Sequence, residues 1–155
     1  MNADPGLTKG TQNRRRFWRV RALALLSLSV VMPAGFGLKL YSGPGRHWAN
    51  NYAAGVMYVV FWCLVLLFIW PRPASILWMA IGVLLITSAL EVAQLWHPPI
   101  LEAARQSFLG RALIGTSFDW LDFPHYFIGF LLGWMWMQAL VHTVRNGLLG
   151  QDQLR

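Results

Sequence analysis

The chain has 155 residues, 56% of them hydrophobic and only 12% charged, with nine Trp and nine Phe. Soluble domains carry roughly 25% charged residues, so this composition excludes a soluble globular core and describes a one-domain integral membrane protein. The net charge of +7 gathers mostly near the start of the chain. With no Gly-rich phosphate loop, RNA-binding signature or zinc-finger spacing, it gives no reason to expect a nucleic-acid partner.

Residues 1–12 are polar and rich in Gly, Pro and Asn, and predict an irregular lead. Arg14, Arg15, Arg16, Arg19 and Arg21 follow directly before an apolar run over 22–40. That run is too long for the core of a secretory signal and reads as a signal anchor, the first span. Pro33, Gly35 and Gly37 are expected to kink or loosen its far end. A polar connector with turn chemistry at Gly43, Pro44 and Gly45 leads to a second span over 52–70. A tight turn, Trp70-Pro71-Arg72-Pro73, leads to a third over 75–95. Cys63 is the single cysteine and lies inside an apolar run, so no disulfide framework and no Cys-based metal site is available.

Residues 98–110 open with two prolines and put Leu101, Ala104 and Phe108 on one face, with Glu102 and Arg105 at the border or opposite. That spacing predicts a short helix lying on the membrane. The fourth span is expected over about 119–144, ended by Arg145. The predicted fold is therefore all-α, a bundle of four transmembrane helices with a short interfacial helix between the third and fourth. Its parts are a disordered basic arm over 1–17, a membrane domain over 18–146 and a polar tail over 147–155.

Basic residues set the expected orientation. With the start of the chain inside, the inner segments hold nine Lys or Arg and the outer segments four. Both termini are then cytoplasmic. Lys39, Asn50, Asn51, Glu91, Gln94, His97, Arg105, Asp119, Asp122 and His125 all fall towards the outer side, and any site opens outward. Trp48, Trp70, Trp96 and Trp120 fall at span ends, as interfacial belt residues do.

The chemistry concentrates in two stretches, S-A-L-E-V-A-Q-L-W-H-P-P and F-D-W-L-D-F-P-H-Y-F-I-G-F-L-L-G. Ser88, Glu91 and Gln94 are three apart and share a helix face. An ionisable group at a membrane span is expensive in lipid, so that face points into the bundle or a wet cavity. Glu91 is then either a ligand carboxylate, proton carrier or general acid–base, or a hydrogen-bonded pin between helices. Asp122, Tyr126, Gly129 and Gly133 form a second stripe at spacings of four, three and four. Its two glycines permit close helix approach, and the stripe is expected to face the third span. For Asp119 or Asp122 the plain alternative is capping of the fourth helix. Arg105 and Arg111, in the connector, suit pairing with these acids or with a phosphate, or a solvated surface. His97, His125 and Glu91 lack a metal-binding spacing, and neither a nucleophile elbow nor a Cys–His pair is visible, so no cofactor is expected and an enzyme ranks last.

The run from Glu91 and Gln94 through Arg105 to Asp122, Tyr126, Gly129 and Gly133 resembles the VanZ-like family of small bacterial membrane proteins. Its nearer likeness is to the domain-of-unknown-function family 2809, in which Tyr stands where VanZ-like proteins have Asn. The likeness spans roughly 35–133; where the relative tends to have an acid, this chain has Asn50 and Asn51. The resemblance implies the bacterial inner membrane and an envelope role; VanZ itself is associated with low-level resistance to the glycopeptide teicoplanin. The resulting expectation is an outward polar site for an anionic or amphiphilic envelope molecule, formed by Glu91, Gln94, Arg105, Asp119, Asp122 and Tyr126. The alternative is an accessory subunit that holds a membrane-protein partner or a second copy of itself.

Overall fold

The computed structural model describes residues 5–96, 99–107, 110 and 118–152. Among these the regular structure is helical throughout, with no strand. Helix α1 covers Pro5–Leu40. A short α2, Arg46–Trp48, runs through a π-helical turn, Ala49–Ala53, into α3, Ala54–Ile69. A 3₁₀ turn, Pro73–Ser75, precedes α4, Ile76–Ala93, and α5 covers Pro99–Gln106. Helix α6 runs Asp122–Asp152. Four stretches are long and apolar enough to cross a membrane: Gln12–Leu40, Arg46–Ile69, Pro73–Ala93 and Asp122–Gly147.

The spans fall where hydropathy puts them, and their ends differ from expectation. Helix α1 begins at Pro5, so the arginines at 14–21 ride on the spanning helix rather than precede it. Pro33 lies inside α1, which continues to Leu40. A proline costs one backbone donor, which a helix in a bundle tolerates. Helix α6 continues past Arg145 to Asp152. Between α4 and α6, helix α5 matches the expected short helix, while the side chains of Leu101, Ala104 and Arg105, and all of Phe108, lie outside what is described.

Helix α3 touches each of the other three spanning helices and supplies the middle of the core. Its buried residues, Val56, Val59, Val60, Cys63, Leu64 and Leu67, recur at three and four along one side. Helix α1 meets this core through Val20, Ala24, Ser27 and Val31, and α6 through Met137, Val141 and Val144. Most other apolar side chains face outward, Leu26, Trp78, Leu85 and Met135 among them. A soluble protein would not leave so much apolar surface in water, but lipid accepts it without cost. Trp136 Nε1 donates to Ser27 Oγ at 3.2 Å, a polar tie between α6 and α1 inside the apolar zone.

Candidate functional site

The polar residues collect at one end of the bundle, where α4 ends, α6 begins and the π-helical turn enters α3. Along α4 the buried positions are Ile76, Ala80, Val83, Thr87 and Glu91, spaced four, three, four and four. The same side that packs the apolar core thus delivers Glu91 into the interior, where it is 1% exposed. Thr87, one turn below, turns its hydroxyl back onto the Val83 and Leu84 carbonyls at 2.9 and 3.0 Å. Ser88, expected on this face, is only half-buried beside it.

Both Glu91 oxygens are occupied. Oε1 accepts the Asp119 backbone N–H at 2.9 Å. Oε2 accepts the Tyr126 hydroxyl at 2.7 Å and the Gln94 side-chain amide at 2.9 Å. One carboxyl therefore ties α4 to α6 and to the segment entering α6. A buried carboxyl without such donors would carry a large desolvation penalty. The Asp122 carboxyl lies near enough to Glu91 for the two acids to interact electrostatically.

Asp119 lies three residues before α6 and shapes the turn that enters it. Its Oδ1 accepts the Leu121 N–H at 3.0 Å, a local turn that leads the chain into α6. Its Oδ2 accepts the Tyr52 hydroxyl at 2.8 Å, reaching across to the π-helical turn. These two donors, the Leu121 amide first and the Tyr52 hydroxyl second, favour the charged form and hold the Asp119 carboxyl below its ordinary range; His47 and His125 add to this, against some desolvation. Asp122 opens α6 itself, half-buried in its first turn.

The glycine stripe packs against α3, the second span, and not against the third as expected. A Cβ at Gly129 would lie 2.8 Å from Val59 Cβ and 2.9 Å from the Val56 carbonyl oxygen. One at Gly133 would lie 2.8 Å from Cys63 Sγ. The stripe nevertheless carries Tyr126 to Glu91, because α6 contacts both α3 and α4. Gly55 of α3 makes room for this: a Cβ there would be 3.3 Å from the Tyr126 ring. A helix stripe is wider than one partner, and spacing alone does not choose between two neighbours on adjacent sides.

Two contributors, Tyr52 and Gly55, escaped the sequence reading, and a third, His125, enters it only as an outer-side residue and a candidate metal ligand. Tyr52 looked like the first residue of a span, yet it is buried and holds Asp119. His125 stacks on Tyr52 with ring centroids 4.6 Å apart and meets Trp48 edge-on. Its Nδ1 sits 2.7 Å from the Leu121 carbonyl, which only accepts, so Nδ1 carries a proton. Gly55 gave no signal at all. The common depth of Tyr52 and Asp119 at two span ends was the one available clue for Tyr52.

Of the expected set, Glu91, Gln94, Asp119, Asp122 and Tyr126 come together. Arg105 lies on α5 with its side chain outside the described residues; Arg111 and His97 lie outside them entirely. Gln94 is 7% exposed, and while its amide nitrogen holds Glu91, its Oε1 has no hydrogen-bond partner among the described residues. Asn50 Oδ1 is likewise buried and unpartnered. Trp48, Trp70, Trp96 and Trp120 are all more than half exposed, as belt residues are.

Residues 45–130 match the family described as Protein of unknown function (DUF2809). The chain belongs to this family. The match takes in Tyr52, Glu91, Gln94, Asp119, Asp122, Tyr126 and Gly129, and leaves all of α1 outside. No curated protein and no solved structure matches the chain.

Proposed function

We propose that this DUF2809 protein binds the polar head of an amphiphilic envelope molecule at the end of the bundle built around Glu91. The observation that carries the reading is Gln94 Oε1, a buried acceptor without a described partner beside a carboxyl cluster. Leaving such an atom unpaired costs about 1–3 kcal/mol, and a hydroxyl or amine from a ligand would recover it. The described polar side chains there are mainly acceptors, so they suit the donor-bearing part of a head group. The sequence pattern offers Arg105 for an anionic part. The excess of basic residues at the other end supports cytoplasmic termini and an outward-facing site in a bacterial inner membrane. The likeness to VanZ-like proteins agrees with an envelope ligand and a link to glycopeptides.

The test is native mass spectrometry of the protein released from its own membranes, wild type beside Asp122→Asn and Gln94→Met. Asn at 122 keeps an oxygen and adds a donor towards Glu91, so the fold stands while the carboxyl is lost. A defined bound mass present on the wild type and lost from both variants is expected. Bare protein in all three, with the same helicity, would refute the reading.

One observation favours an accessory role instead: Glu91 already has three donors and works as a pin. On that reading the exposed aromatic surface holds a membrane-protein partner or a second copy, recovered in stoichiometric amount from gently solubilised membranes. A head-group enzyme with Glu91 or Asp122 as base ranks below both.

A further inference from the structure

The opposite end of the bundle carries a different chemistry. On α1, Arg14, Phe17, Trp18 and Arg21 recur at three, one and three and therefore share a face. That face meets the end of α3 and the turn after it, and together they enclose an open groove of about 370 Å³ lined by Arg14, Trp18, Arg21, Trp70 and Arg72 with Phe17 and Ile69. Among the described residues no carboxylate lines the groove. The sequence holds none anywhere between Asp4 and Glu91. Among the residues lining the groove the positive charge meets no acidic side chain.

The three guanidiniums are held differently. Arg21 caps α3: its Nε donates to the Phe68 carbonyl at 3.0 Å and one Nη to that of Ile69 at 3.1 Å. It also lies over the Trp18 ring at 5.9 Å, and Arg72 lies over Trp70 at 5.1 Å. An aromatic face below a guanidinium leaves its N–H edge free to point outward. Arg14 and Arg72 are exposed on the two sides of the groove. Two forks beside a third basic group, at the level where Trp rings gather, match the tetrahedral oxygens of a phosphate. The apolar rings match the glycerol and first acyl carbons beneath it.

We infer that this groove is a binding site for the phosphate of an acidic phospholipid, seated between α1 and the α3–α4 turn at the end of the bundle remote from Glu91. A membrane-embedded protein meets such lipids continuously, and basic residues at the interface attract them by about 1 kcal/mol each. The site is independent of the outward one, and α1 lies wholly outside the family match.

The full chain, purified in a neutral detergent, is titrated with phosphatidylglycerol, with phosphatidylcholine and with inorganic phosphate, reading the melting temperature. Phosphatidylglycerol is expected to stabilise the wild type well beyond phosphatidylcholine. Arg14→Gln with Arg72→Gln should weaken its apparent affinity by about 30-fold, at about 1 kcal/mol for each charge. Arg21 is left in place because it caps α3. An equal response to both lipids, or an unchanged preference in the double variant, overturns the inference. So does equal stabilisation by inorganic phosphate, which would make the groove a soluble-anion site. If the double variant does not fold, photoactivatable phosphatidylglycerol on the wild type decides: labelling is expected in the peptides over 14–21 and 69–72, and labelling elsewhere refutes the site.

Discussion

The close contact between α6 and α3 can be tested by adding single methyl groups. At Gly129 a Cβ would sit 2.8 Å from Val59 Cβ, 2.9 Å from the Val56 carbonyl oxygen and 3.3 Å from Val56 Cα. Two of those three atoms are backbone, so no side-chain rotation relieves the overlap and the helices must separate. Overpacking of this kind costs about 1–3 kcal/mol. Removing a helical glycine returns about 0.5–1 kcal/mol, so Gly129→Ala should destabilise by about 1–2 kcal/mol net. Gly82, in α4, has nothing within 4 Å of its Cβ position, so Gly82→Ala should stabilise. Gly133→Ala meets Cys63 Sγ at 2.8 Å and Cβ at 3.0 Å, and its cost should fall in a Cys63→Ala background that removes the sulfur. The assay is reversible unfolding in mixed micelles followed by far-UV circular dichroism. If Gly129→Ala proves as stable as Gly82→Ala, α6 does not rest on α3 and the route by which Tyr126 reaches Glu91 is wrong.

Other consequences are simpler. Glu91→Ala strands the Tyr126 hydroxyl, the Gln94 amide and the Asp119 N–H, and should destabilise the protein in the same unfolding assay, at about 1–3 kcal/mol for each donor left buried without an acceptor. Glu91→Gln, which keeps an acceptor, should cost visibly less. Asp119 has its carboxyl pKa lowered from 3.8 by the Leu121 amide and the Tyr52 hydroxyl. Its stabilisation is therefore complete above the unfolded value and disappears as pH falls through the lower folded value. Melting curves from pH 6 down to pH 3 should show wild type losing an increment that Asp119→Asn never had; parallel curves would refute the Tyr52–Asp119 link. Arg21→Gln removes the guanidinium from the Phe68 and Ile69 carbonyls and should cost about 1–2 kcal/mol, read as a lower melting temperature.

Four spans, the short helix after the third and the concentration of acids at one end were legible because lipid makes the rule simple: apolar length gives spans, and a polar residue within one must find a partner. Glu91 and Gln94 could be paired with Asp122 and Tyr126 by depth alone. The face that Gly129 and Gly133 present could not be resolved, since α3 and α4 both lie beside α6 and both are apolar along its length. Tyr52 was hidden for a related reason: tyrosine is ordinary at a span boundary, and its hydroxyl takes on a role only once the chain entering α6 folds back over it. Helix ends were also blurred. Arg14 to Arg21 look like a flank, yet long basic side chains can ride on a spanning helix and reach the interface from it.

Whether the Glu91 cluster is a lock or a receptor turns on how much hydrogen-bonding capacity it has left. A carboxyl accepts about four hydrogen bonds, and Glu91 already takes Asp119 N–H on one oxygen, and Gln94 and Tyr126 on the other. A ligand therefore gains little from Glu91 itself; the unused buried acceptor beside it is Gln94 Oε1, with the Asp122 carboxyl nearby. Tyr126→Phe separates the two roles, because it opens one position on Glu91 Oε2 without disturbing Gln94 or Asp122. If the cluster only locks helices, the variant loses about 1–1.5 kcal/mol of stability and any bound mass is unchanged. If a head group sits against Gln94 and Asp122, the freed oxygen gives it a further acceptor, and the same bound molecule should be retained more tightly on a less stable protein. Opposite movement of binding and stability is the outcome a pure lock does not produce, and its absence would move Glu91 to the structural side.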